Sequence, residues 1–120
     1  VVGKPLALLC LQRNATVSVA HVFTKDLKAI TKQADVLITA AGVPNLITKD
    51  MIKKDAVIID VAIVKTDDVV TGDVDFDQVK EKVKLITPVP GGVGPVTIAS
   101  ALENMTKATN ASIKVKEENE

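Results

Sequence analysis

Nine residues, Thr87-Pro88-Val89-Pro90-Gly91-Gly92-Val93-Gly94-Pro95, hold three prolines and three glycines between an apolar run and a stretch of helical period. Proline stiffens a loop and glycine lets backbone come close to a bound molecule, so a loop using both is suited to hold a ligand. A second candidate is Gly3-Lys4-Pro5 ahead of Leu6-Ala7-Leu8-Leu9. Free N–H groups at a helix start, backed by the helix dipole, hold phosphates. Gly-x-Pro also opens ordinary helices, so alone it carries either reading. A third is Val19-Ala20-His21-Val22, which ends an apolar run without the Asp or Glu that would grip a ribose 2′-hydroxyl. Room is left there for a 2′-phosphate. His21 either pairs with it or caps the strand, and Val22 offers no hydrogen bond.

Ala40-Ala41-Gly42-Val43-Pro44 places small residues where a flat ligand would approach backbone at a strand end, or where a tight turn needs Gly42. Asp60 stands inside Val57-Ile58-Ile59-Asp60-Val61-Ala62-Ile63. A carboxylate among such neighbours must be hydrogen-bonded or protonated, which serves either the satisfaction of loop N–H groups or catalysis. Cys10, the single cysteine, lies in Leu8-Leu9-Cys10-Leu11 and reads as a buried, inert thiol in a reducing compartment. No metal-ligand set is expected.

These candidates need a scaffold, and apolar runs alternate with helical-period segments in the manner of βαβ units around a parallel sheet. Strands are predicted at 17–20, 36–41, 56–63 and 85–89, ending at His21, Gly42, a polar loop after Ile63, and Pro90. Helices are predicted from Pro5 through Leu11, at 24–33, 48–53 and 75–83, and from Pro95 to about Lys107, with Thr or Asp as caps. The polar residues 114–120 read as a frayed charged tail. The expected fold is therefore α/β, a three-layer Rossmann-like domain with a mostly parallel sheet over 1–113. Such a domain opens with a central strand and a glycine-rich turn, whereas helix is reached here by residue 5, so first strand and phosphate turn are expected to be missing.

The 120 residues fit one domain with a real core. Fifteen basic residues balance fifteen acidic ones, leaving no net field for nucleic acid or an anionic membrane surface. No apolar run approaches the roughly 18 residues of a membrane span. Three sequons, at Asn14, Asn104 and Asn110, occur without a secretory signal and read as chance.

Several stretches, in order, resemble the bifunctional methylenetetrahydrofolate dehydrogenase/methenyltetrahydrofolate cyclohydrolase family: VGKPLALL at 2–9, ATVSVAH at 15–21, ADVLITAAGVPNLIT at 34–48, VIIDVAI at 57–63, GDVDF at 72–76 and ITPVPGGVGPVT at 86–97. Ordered agreement of many motifs is far more specific than any one. The resemblance implies the second, NAD(P)-binding domain of an enzyme whose catalytic domain carries a Tyr-x-x-x-Lys motif across a folate-binding cleft. The chain contains no Tyr. By the same resemblance, Val2 and Gly3 end a phosphate turn whose Gly-Arg-Ser would precede Val1. Val22 matches the family's cofactor-contacting position after the His that ends the second strand, here His21, and stands where Ser or Arg is frequent. Val61 and Ile63 match positions near the nicotinamide amide and Thr97 a cofactor-side hydroxyl, while Ala41 and Gly42 are the small residues at which a flat cofactor would approach backbone. Pro90, Gly91, Gly92, Val93 and Gly94 match the folate-side loop. Ala62 and Val64 depart from the family's Gly and Asn.

The implied reaction is hydride transfer from 5,10-methylenetetrahydrofolate to NADP, with NAD also possible, then hydrolysis of the methenyl product to 10-formyltetrahydrofolate. No catalytic residue is expected in this chain, which would position cofactor and share folate with the other domain. The parent enzyme would be a homodimer in the cytoplasm, or in mitochondria by the likeness of AAGVPNLITKDM at 40–51. The competing expectation is a non-catalytic nucleotide-binding module.

Overall fold

The computed structural model describes residues 1–120. Three strands, β1 (Val36–Thr39), β2 (Val57–Asp60) and β5 (Leu85–Ile86), form a parallel sheet in the order β1-β2-β5. Val36 faces Val57 and Thr39 faces Asp60 across β1 and β2, while Val57 and Ile58 pair with Leu85 and Ile86. β2 has a neighbour on each side, which suits its Val-Ile-Ile run, and Ile58 at its centre is completely buried. Ile47, Ile52, Ala56, Val74 and Val79 close around Ile58 to make the core. A mixed α/β domain with a parallel sheet is thus the observed fold, as the alternation of runs implied.

The helices are α1 (Gly3–Gln12), α2 (Leu27–Thr31), α3 (Phe76–Val79) and α4 (Val93–Glu118). α1 and the start of α4 agree with the sequence reading. α2 is shorter than 24–33, and Asp26 rather than Thr24 caps it, its carboxylate accepting the Ala29 N–H at 3.1 Å. The helix expected at 48–53 is one 3-10 turn, Lys49–Met51, and that at 75–83 contracts to α3. Residues 114–118 continue α4 instead of fraying. α4 buries none of its residues, and a radius of gyration of 17.8 Å exceeds the roughly 14 Å of a compact chain this long. Neither α4 nor any other helix is long and apolar enough to cross a membrane.

Three further corrections follow from pairing. The strand expected at 17–20 is irregular, because a strand exists only through a ladder and residues 16–20 make no backbone-to-backbone hydrogen bond. The expected polar loop after Ile63 instead contains an antiparallel hairpin, β3 (Val64–Thr66) with β4 (Val69–Thr71), turned by Asp67 at φ 52° and Asp68. The strand expected at 85–89 stops after Ile86, since Pro88 and Pro90 offer no N–H to a ladder.

Candidate functional site

The three paired strands run parallel, so the loops that follow them, 40–43, 61–63 and 87–92, leave the same edge of the sheet. This is the edge where ligands of open parallel sheets gather. His21 follows no strand, so only three of the four anticipated strand ends share this edge.

Two buried carboxylates organise the loops. Asp60, at the end of β2, is 3% exposed; Oδ1 accepts the Ala62 N–H at 3.1 Å and Oδ2 the Val74 N–H at 3.0 Å. The Asp60 N–H donates to Thr87 Oγ1 at 2.8 Å, tying β2 to the Pro-Gly loop. Burial pushes the Asp60 carboxyl above its ordinary value, the nearby Asp73 carboxylate adds to the push, and the backbone donors oppose it. A raised value means that Asp60 supports the fold most when protonated. That contribution is full below the ordinary carboxylate range and is lost as pH rises through the folded value. Asp60 is therefore the hydrogen-bonded anchor anticipated in the structural reading of its sequence.

Asp73, fully buried beyond β4, accepts the Thr39 hydroxyl, the Ala41 N–H at 2.6 Å and the Val43 N–H at 2.8 Å. Asp73 and Thr39 are not singled out as site residues by sequence reasoning, their only signal being that they fall within the matching stretches GDVDF and ADVLITAAGVPNLIT, whereas Thr87 opens the Pro-Gly loop without a role assigned to it.

Ala41 and Gly42 are exposed on the loop after β1, with Gly42 at φ 75°. A Cβ added at Gly42 or at Gly3 would meet no atom within 4 Å, so both backbones face open space that a flat ring or a phosphate could enter. Val2 is the N-cap of α1 without a side-chain cap bond, and no acidic residue stands in the first turn. The N–H groups of Gly3 and Lys4 therefore point out of the helix start with the dipole behind them. The His21 N–H donates to Thr24 Oγ1 at 2.9 Å and His21 Nδ1 accepts the Phe23 N–H at 3.2 Å, leaving Nε2 as the ring's free nitrogen. Val22 beside it is almost fully exposed.

Val61 is half-buried and Ile63 exposed on the loop after β2. A Cβ added at Gly94 would lie 3.8 Å from Ile63 Cδ1, so the anticipated nicotinamide-side loop meets the anticipated folate-side loop. Pro90 and Gly91 are exposed, Gly92, Val93 and Gly94 half-buried, and Thr97 is exposed one turn into α4 with its hydroxyl on the Val93 carbonyl at 3.1 Å. Ala62 is buried at 7%, so its extra methyl is absorbed by the protein. Cys10 is half-buried.

The chain has three loops with exposed residues on one sheet edge, a helix start with free donors, and no buried polar side-chain atom without a partner. Residues 1–113 match the family described as tetrahydrofolate dehydrogenase/cyclohydrolase, NAD(P)-binding domain. The bifunctional protein FolD of Aquifex aeolicus is 58% identical over 108 residues, covering 90% of this chain and 37% of that protein. The bifunctional FolD enzyme of Campylobacter jejuni superposes with a TM-score of 0.90 at 49% identity, over 92% of this chain and 40% of that one. The methylenetetrahydrofolate dehydrogenase-cyclohydrolase of Trypanosoma brucei, solved with NADP cofactor and inhibitor, gives 0.86 at 38% identity, over 92% and 40%. The chain thus spans about two fifths of the length of these relatives. It belongs to the tetrahydrofolate dehydrogenase/cyclohydrolase family, within which it is the NAD(P)-binding domain.

Proposed function

We propose that this chain is the cofactor-binding part of an enzyme that oxidises 5,10-methylenetetrahydrofolate with NADP, NAD being the alternative, and hydrolyses 5,10-methenyltetrahydrofolate to 10-formyltetrahydrofolate. The observation that carries the reading is the meeting of Ile63 with Gly94, which sets the loop after β2 against the Pro-Gly loop on one sheet edge. Direct hydride transfer needs cofactor and substrate held side by side, and adjoining loops are placed to hold them so.

Bound here, the nicotinamide supplies the hydride acceptor; the protein supplies placement. The N–H groups at Val2 and Gly3 would hold the pyrophosphate, and His21 Nε2 with Val22 would border the ribose phosphate end. Ala41 and Gly42 would give backbone to the nicotinamide half. Val61 and Ile63 would wall the ring, Thr97 would offer a hydroxyl, and Pro90 to Gly94 would shape the folate side. Proton handling belongs to a Tyr-x-x-x-Lys motif outside these residues, which contain no Tyr. The folate is shared with the domain that carries that motif, in a cytoplasmic homodimer.

Two measurements test the proposal. Saturation-transfer NMR of the 120-residue chain with NADP should show binding, and its absence would refute the cofactor role. A steady-state assay with methylenetetrahydrofolate and NADP should show no turnover by the chain alone. A rate on the order of 10 per second would place the catalytic groups within it.

A further inference from the structure

We propose that Asp73 is a positioning residue, which shapes the loop after β1 for the nicotinamide half of the cofactor without touching the ligand. The proposal rests on the NAD(P) reading above and deepens it.

Asp73 is fully buried, and both of its carboxylate oxygens are engaged by β1 and the loop that follows. Oδ2 takes the hydroxyl of Thr39, the last residue of β1, and the Ala41 N–H at 2.6 Å; Oδ1 takes the Val43 N–H at 2.8 Å. The N–H groups of residues two apart converge on one carboxylate, so the backbone wraps around it and leaves Gly42 on the exposed side. Hydrogen bonds to an ionised acceptor are about twice as strong as neutral ones and more exacting in geometry.

Asp73 is itself held. Its carbonyl accepts the Ile47 N–H at 3.0 Å, and the Asp75 N–H donates to the Ile47 carbonyl at 3.0 Å. On the other side Asp60 takes the Val74 N–H. Asp60 also takes the Ala62 N–H, so a single bend, 72–74, ties together the loops at 41–43 and 61–63. These loops face the nicotinamide half in the reading above, whereas residues 2–3 and 21–22 face the phosphates and make no bond to either carboxylate. Productive transfer needs groups held within about 0.5 Å. Asp73 supplies that constraint on one side of the ring.

The two halves of the cofactor can be offered separately. Nicotinamide mononucleotide and 2′,5′-ADP are titrated into the isotopically labelled chain and followed by amide NMR shifts. Asp73→Asn places an amide donor against N–H donors, and should weaken the mononucleotide tenfold or more while leaving 2′,5′-ADP within twofold. Thr39→Val removes one donor without changing shape and should weaken the mononucleotide several-fold, with Thr39→Ser restoring it; this series decides the matter if Asp73→Asn does not fold. Equal weakening of both halves, or no weakening of either, would reduce Asp73 to a purely structural role. Binding of 2′,5′-ADP with no binding of the mononucleotide to the unaltered chain would overturn the proposal and leave the cofactor reading standing. Binding of neither would sink both.

Discussion

Replacing Gly72 with alanine is expected to lower the thermal midpoint of the sheet by more than about 10 °C. A Cβ at this position would lie 2.6 Å from Asp60 Cγ and 2.8 Å from Oδ1, and would overlap Oδ2 outright. Asp60 is buried and its two oxygens hold Ala62 and Val74, so swinging it into the cavity that it lines with Gly72 would give up those bonds. Overpacking of this kind costs about 1–3 kcal/mol, and each buried N–H left without its acceptor about 1–3 more. A total of about 3–5 kcal/mol is a large share of the 5–15 typical of a domain, and near this size each kcal/mol moves the midpoint by about 4–8 °C. Calorimetry on Gly72→Ala checks it. A shift below about 2 °C would mean that the carboxylate finds another arrangement, and that the link between Asp60 and the 72–74 bend is dispensable.

Gly92→Ala is expected to cost about 2–4 kcal/mol in urea unfolding, while Gly94→Ala, two residues on, should be neutral or slightly stabilising. At Gly92 the added carbon would overlap the Pro88 carbonyl oxygen, with Thr87 Cβ at 3.1 Å and Pro88 N at 3.2 Å. Those are mainly backbone atoms in a segment stiffened by Pro88 and Pro90, so the loop must open rather than yield at a side chain. Opening it also strains the hydrogen bond between the Asp60 N–H and Thr87 Oγ1. At Gly94 the new methyl would find only Ile63 Cδ1, at an ordinary 3.8 Å, and in the first turn of α4 alanine loses less backbone entropy than glycine. Equal effects at the two positions would show that the tight fold of the loop around residues 87–92 does not matter to stability.

Much of this was legible in the sequence, for reasons that show why the rest was not. The apolar runs at Val36 and Val57 announced β1 and β2 because strands buried on both faces need only side-chain chemistry to be visible. The Pro-Gly loop stood out because its residue types restrict the backbone locally. The segment at 17–20 has the same apolar character but forms no strand, since pairing is a property of a neighbour rather than of the residues themselves. The β3–β4 hairpin escaped because Asp67-Asp68 is not among the turn pairs that mark hairpins strongly. Asp73 escaped for another reason: its partner Thr39 is 34 residues away, and no spacing rule spans that distance. Asp60 was conspicuous by its apolar surroundings; Asp73, in a polar stretch of sequence, was not.

α4 runs for 26 residues, about 39 Å at 1.5 Å per residue, and buries none of them. Nearly all its hydrogen bonds close within a turn of where they begin, so the helix and the sheet are not one cooperative unit. Melting of α4 is a graded helix–coil transition that starts from its ends, while the sheet around Ile58 opens all or none. Helical ellipticity and core exposure are then expected to diverge on heating, so that a single free energy of unfolding would describe the sheet but not the whole chain.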